Sequence, residues 1–453
     1  MSNVTRGIAR RAVFVTATAL ILLAVQSAGA GARSSATTVL PPGNTVEQWD
    51  KIAEDTVVGS GAFQAEGLLY MAYESAAVYD AVVSLVGGYQ PLAPAFRVDK
   101  QASPDAAVVE AAYRILRHYL PASYTSLDAS YTEALAAIPN GPAKASGQQI
   151  GRVAANQVIK ARSVDGLTAP IAVSASFAAR PAGPGVWRLT PPAYQSPQTP
   201  WVGAVHPFIL ESPSQFLPPP PPALSSPVWV AAFNEVQAYG GVNSTLRTPD
   251  QTAIAQFWSA NVIRQFNGVV RDITDKQGLS LVKTARLAAM VNVIGADAGI
   301  SFMNAKYHYL FWRPVTAIDP ASASPDGYGA VPGPDDGNPA TVEQTGWRPL
   351  LATPNHPEYP SAHATLAAAE VAALTAFLGT RQLNVDVHGF DPNGPAGNLN
   401  AVHHFATGDD LVTEAGNARV WAGLHYRFSI LAGNTLGAKV AGYDLQHAFQ
   451  PAG

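Results

Sequence analysis

The sequence contains no cysteine. That excludes disulfides, thiolate nucleophiles, cysteine-ligated zinc and iron–sulfur clusters together, and leaves packing to hold the chain. Charge is also scarce: Asp, Glu, Lys and Arg make up 13% of 453 residues, and the formal net charge is −4. Such a chain offers no general field for nucleic acid or an anionic membrane, so any anion site must be a local cluster of cations. Methionine is rare, at four residues, which suits an enzyme that handles strong oxidants. Alternating strand patterns are almost absent. What is abundant is apolar content, 47% of the chain, enough to bury a large core.

Arg6, Arg10 and Arg11 precede an apolar run from Ala12 to Val25 and the small residues Ser27–Ala32. This order is that of a secretory signal peptide, predicted over residues 1–32, with export and a mature protein outside the cytoplasm. No other segment approaches a transmembrane length free of charges or breakers, so no stable span is expected after cleavage. Helix signals dominate the remainder. Ser103-Pro104-Asp105, Ser226-Pro227 and Thr248-Pro249-Asp250 each place a cap and a first-turn proline before apolar periodicity. Amphipathic helices are predicted over 67–86, 126–137, 143–163, 228–239 and 251–266. Residues 168–225 are rich in Pro and Gly and include the run Pro218–Pro222, and 319–359 carries the turn signals Gly333-Pro334 and Asp336-Gly337. The predicted fold is all-α: two packed helical bundles, 33–165 and 226–453, joined by a long Pro-rich irregular crossover over 166–225.

Three segments of the last third hold most of the unusual polar residues. In the first, Lys306 and Arg313 lie seven apart in an aromatic-rich stretch ahead of Pro314, so one helix would project both from one face. Burying two such cations is costly without an anion between them. The second runs His356-Pro-Glu358-Tyr-Pro-Ser361-Ala362-His363 into an apolar stretch, which puts Ser361, Ala362 and His363 at a helix N-terminus, where free N–H groups favour an anion. The third holds Arg419 and His425 six apart, so an unbroken helix would separate their directions by roughly 120° with both able to lean into one pocket, and Gly423 between them permits close helix approach. Taken singly, each has a plainer reading: a solvated cation pair, an ordinary N-cap, a structural histidine. Together, two arginines, a lysine, two histidines, a hydroxyl and a helix N-terminus are the parts that hold a tetrahedral or bipyramidal oxyanion.

Lys-x6-Arg-Pro, Pro-Ser-x-His and Arg-x5-His, in this order, resemble the signature of the vanadium-dependent haloperoxidases and their phosphatidic acid phosphatase type 2 relatives. The context is similar too: Asp297-Ala-Gly-Ile, Phe311-Trp312, Gly423-Leu-His425-Tyr-Arg-Phe, Arg247-Thr-Pro-Asp-Gln-Thr, and the crossover near Pro207–Pro222. The resemblance implies a haloperoxidase/phosphatase-like domain over 226–453, with vanadate as cofactor; phosphate fits the same pocket. It implies His425 as the axial vanadium ligand, Lys306, Arg313 and Arg419 as partners of the equatorial oxygens, and Ser361 and the Ala362 N–H as further donors. His363 would be the acid–base, and Lys306 would polarise bound peroxide as halide attacks. The partners implied are hydrogen peroxide, halide and a small organic acceptor, with self-association into a homo-oligomer left open.

Departures from the pattern refine the expectation. Ala362 stands where glycine is usual, and Ser429 where many relatives carry an aspartate. Met303 replaces a tryptophan of the halide pocket, and His356 matches the histidine of bromoperoxidases, so bromide and iodide are expected in preference to chloride. Two rival readings remain at this level. One is a secreted acid phosphatase with His425 as nucleophile, and the other a vanadate-independent or non-catalytic oxyanion-binding helical protein. His403-His404 beside Asp409-Asp410 is read as a solvated loop, with His404 near the pocket mouth, and His308 as a packing residue.

Overall fold

Helices begin where capping chemistry places them. The Ser103 and Ser226 hydroxyls accept from the N–H groups of Ala106 and Trp229, and Thr248 forms a reciprocal capping box with Gln251. The computed structural model describes residues 40–169, 183–319, 336–391 and 399–452. The predicted signal peptide and the Gly333-Pro334 turn lie outside these residues.

The helices are α1 (Thr45–Gly59), α2 (Gln64–Val86), α3 (Pro104–Tyr119), α4 (Tyr124–Ala136), α5 (Pro142–Arg162), α6 (Pro227–Gly240), α7 (Pro249–Phe257) and α8 (Val262–Gln277). They continue with α9 (Leu281–Tyr309), α10 (Pro314–Ile318), α11 (Ala362–Leu378), α12 (Gly408–Trp421) and α13 (Arg427–His447). The chain from Thr38 onward forms one compact unit. Its largest hydrophobic cluster among the described residues joins Trp49 and Tyr79 of the N-terminal helices to Met290 of α9 and Leu374 of α11.

The predicted helix over 251–266 is two. It breaks at Trp258–Asn261, where the Asn261 side chain caps α8 by accepting from Ile263 N, and the Trp258 carbonyl is left to other donors. The expected loop around His403-His404 is instead strand β2 (Ala401–Thr407), paired antiparallel with β1 (Gln382–Gly389). Its cause is the alternation of buried Leu383, Val385 and Val387 with more exposed neighbours, a period-two pattern that a helix cannot bury on one face. His404 pairs with Asp386 and His403 with Glu414, and no group of three or more possible metal ligands occurs among the described residues.

One helix, α9, is long and apolar enough to cross a membrane by length and composition, against the expectation that no such segment follows the N-terminal run. Between Arg286 and Lys306 only Asp297 is charged. The helix is buried inside the protein. Asp297 is fully buried and accepts N–H groups from Phe208, Ile209 and Leu210 at 2.6–3.1 Å, so it pins the Pro-rich crossover to α9.

Helix α13 lies close against α11. A Cβ on Gly437 would sit 2.1 Å from the Thr365 carbonyl oxygen, and one on Gly433 2.7 Å from that of Ser361. Gly437→Ala must therefore force the two helices apart, because the obstacle is backbone. A loss of about 1–3 kcal/mol is expected, as for overpacking of a core, and thermal unfolding of the variant checks it.

Candidate active site

Lys306 and Arg313 are not on one helix. Helix α9 ends at Tyr309, Leu310 turns left-handed at φ 51°, and Arg313 becomes the residue before α10. Proline reads equally as the stop of one helix or the first turn of the next, and here Pro314 starts one. The two cations meet nonetheless, and both are fully buried. Lys306 Nζ donates to the carbonyls of Pro357 (3.0 Å), Glu358 (2.8 Å) and Pro360 (2.6 Å). Arg313 donates to the His356 and Leu424 carbonyls at 3.0 Å, and its Nη1 lies 3.2 Å from His425 Nε2.

Ser361 caps α11 and is fully buried, with Ala362 and His363 half-buried in the first turn. The N–H groups of that turn have no intrahelical acceptor. The His363 ring bonds to the Trp258 carbonyl, which also accepts from Arg419 Nη1 at 3.0 Å. The break between α7 and α8 thus supplies the acceptor that holds two pocket residues.

Arg419 and His425 are likewise not related by helical geometry. Helix α12 ends at Trp421, and Gly423 takes φ +78° with its position only 2.4 Å, at Cβ, from the Gly240 carbonyl oxygen. A side chain is excluded there on both counts. The turn brings His425 back beside Arg313. His425 Nδ1 lies 2.8 Å from Glu358 Oε1, and the same oxygen accepts from Tyr426 N at 3.1 Å.

Of the remaining predicted positions, His356 joins the cluster, its ring 3.0 Å from Arg313 Nη2 and 5.7 Å from Phe63. Met303 lies in the main core, one turn before Lys306 and beside Gly203 of the crossover. His404 is exposed and held by Asp386 on the hairpin, and His308 packs edge-on against Tyr309. Sequence reasoning quoted Glu358 but gave it no part, and had no means of finding Trp258, which contributes only a backbone oxygen. For Glu358 the signal was an acid between prolines in an otherwise apolar approach to a buried helix.

Burial pushes the guanidinium of Arg313 down to about 10 and that of Arg419 to about 9, the latter also because Arg313 is near. Burial, then Arg313, holds the Lys306 ammonium well below its usual range. His356 and His425 are held well below theirs by burial and then Arg313, and His363 by burial and then Arg419. Glu358 moves up to about 7 because burial outweighs Lys306 and Arg313. Three buried cations thus face one carboxylate, and Arg419 Nε has no partner among the described residues. This donor set fits an oxyanion: guanidinium forks, a helix N-terminus and an orphaned N–H, around an imidazole nitrogen whose lone pair is presented to them.

The family described as "VCPO second helical-bundle domain" matches residues 286–452. Vanadium chloroperoxidase of Curvularia inaequalis is 27% identical over 274 residues, covering 48% of this chain and 43% of that protein. The chain therefore spans less than half the length of this curated relative. Among solved structures, a bacterial vanadium-dependent iodoperoxidase superposes with a TM-score of 0.73 at 22% identity, over 92% of this chain and 100% of that one. The apo form of a bacterial vanadium-dependent chloroperoxidase superposes at 0.63 and 18% identity, over 84% and 94%.

Proposed function

We propose that the chain is a vanadium-dependent haloperoxidase, which its similarity to the family model over 286–452 and to a vanadium chloroperoxidase supports, and that it oxidises halide with hydrogen peroxide to a hypohalous-acid-type halogenating species. The observation that carries this reading is the convergence of three buried cations on a helix N-terminus beside His425. Vanadate held there would supply Lewis-acid activation of peroxide toward a nucleophilic halide. Arg313, Arg419 and Lys306 neutralise oxyanion charge from fixed positions, in a site where burial strengthens each interaction. The Ser361 hydroxyl and the Ala362 N–H complete the cradle. His425 keeps its proton on Nδ1 and turns Nε2 toward the pocket. His363 is neutral, with one side of its ring fixed by the Trp258 carbonyl, so the other nitrogen is free to take up or release a proton.

His356, against Arg313, supports bromide and iodide over chloride, since an imidazole in place of a fully apolar wall suits the softer, more easily oxidised halides. We further propose that residues 1–32 direct export and that a small organic molecule accepts the halogen.

The test is a paired assay on purified protein in phosphate-free buffer, with and without orthovanadate. Bromination of a phenolic dye should appear only with vanadate and peroxide, fall when phosphate is added, and exceed chlorination at equal halide concentration. Hydrolysis of p-nitrophenyl phosphate, inhibited by vanadate and without bromination, would replace this reading with the phosphatase one.

A further inference from the structure

Two neighbours of the His425 ring dictate where its proton sits. Nε2 lies 3.2 Å from Arg313 Nη1, a donor with no lone pair to offer, so Nε2 must accept. Nδ1 lies 2.8 Å from Glu358 Oε1. Were Glu358 the donor in that contact, the ring's proton would move to Nε2 and meet the Arg313 N–H head-on. Only one arrangement satisfies both contacts, with the proton on Nδ1 donated to Glu358.

The position of the Glu358 carboxylate is itself fixed from several sides. Its backbone N–H donates to the Phe311 carbonyl at 2.9 Å, and its own carbonyl accepts from Lys306 Nζ at 2.8 Å. Lys306 also holds the carbonyls of Pro357 and Pro360, so the whole segment is clamped. Oε1 takes a second donor, Tyr426 N, at 3.1 Å, which ties the carboxylate to the start of α13. The Ser429 hydroxyl faces the same carboxylate. Glu358 is fully buried, and its Oε1 meets both the His425 ring and the Tyr426 N–H.

We propose that Glu358 is the positioning residue of the pocket, holding His425 in the tautomer and orientation that present an unprotonated Nε2 to the oxyanion. This rests on the reading that the oxyanion lies against Nε2. Partners of this kind set ring orientation and basicity without touching the anion, and their loss costs about 10–100-fold in affinity for the bound centre. The hydrogen bond, rather than the charge, is what fixes the tautomer. A glutamine can supply it: its carbonyl oxygen can face both His425 and Tyr426, with its NH₂ toward Ser429. Methionine keeps the volume of the side chain and removes the acceptor.

Nitrogen NMR of isotopically labelled histidine, with the His425 signals assigned by subtraction of a His425→Asn spectrum, reads the tautomer directly. Wild type and Glu358→Gln should carry the proton on Nδ1. Glu358→Met should show a mixture of tautomers, and its calorimetric affinity for inorganic phosphate and for orthovanadate should fall about 10–100-fold. A wild-type ring protonated at Nε2 overturns the assignment, as does a Glu358→Met protein whose ring signals and anion affinities match wild type. Should the methionine variant not fold, the wild-type ring spectrum alone decides. Wild-type protein that shows this tautomer and binds both anions but does not brominate would remove the peroxidase reading and leave the role of Glu358 standing.

Discussion

Arg419→Met is expected to lower oxyanion affinity and turnover by about 10²–10³-fold while making the anion-free protein more stable. The two signs follow from one arrangement. Arg419 is buried with its Nε unpartnered, and its guanidinium is held down to about 9 by burial and by the like charge of Arg313. Without an anion it adds repulsion and desolvation cost, offset among the described residues by its bond to the Trp258 carbonyl, which His363 also serves. Replacing a buried ion by an apolar side chain of similar volume is commonly neutral or stabilising by about 1–4 kcal/mol. With an anion present the balance reverses, because a charge-assisted partner is missing. Thermal unfolding in anion-free and in vanadate-containing buffer, beside calorimetric titration, separates the effects. A lower midpoint in anion-free buffer would show that Arg419 is held by contacts of the fold rather than by waiting for a ligand.

The midpoint of thermal unfolding should fall as pH rises from about 5 to 8, the reverse of a protein held by surface carboxylates. Burial raises the carboxyls of Asp50 (to about 7), Asp80 (to about 6), Glu74, Glu370 and Asp444, the last also through Asp297. Each keeps its proton to a higher pH in the fold than in the unfolded chain. Their contribution is therefore complete below the unfolded value, near 4, and is lost as pH climbs through the folded value. Asp80, moved from 3.8 to about 6, loses about 3 kcal/mol in all between about pH 3 and 7, of which roughly half falls above pH 5. The histidines 356, 363 and 425, held neutral, act oppositely below about 6.5, but the five acids outnumber them. Asp444→Asn tests the sign: neutral at every pH, it should cost little at pH 5 and flatten the decline toward pH 8. A slope unchanged by that substitution would remove Asp444 from the account.

What could be read in the sequence was local or carried by resemblance. Ser103, Ser226 and Thr248 announced their helices because a cap acts on N–H groups within the next turn. The pocket residues were found because their spacing resembled a known signature, although the geometry assigned to them was wrong twice. A common helix face was assumed for Lys306 and Arg313, but Leu310 turns left-handed between them. Helical spacing was assumed for Arg419 and His425, but Gly423 reverses the chain. The hairpin was missed although Leu383, Val385 and Val387 alternate, because two short strands are faint beside thirteen helices among the described residues. Glu358 joins His425 across 67 positions and Trp258 acts through its carbonyl; neither relation is encoded in any local pattern.

The segment that the family model matches, 286–452, opens within α9, yet α9 belongs to a core built jointly with α2. A Cβ on Gly299 would lie 3.2 Å from Leu68, and one on Gly67 2.6 Å from Ile263, so the N-terminal helices are fitted to those behind them at atomic scale. Excising the matched segment would leave that face bare. The matched segment is thus smaller than the unit that shares this core. Shuffling, grafting or recombinant expression of this pocket must carry the helices that precede the segment with it.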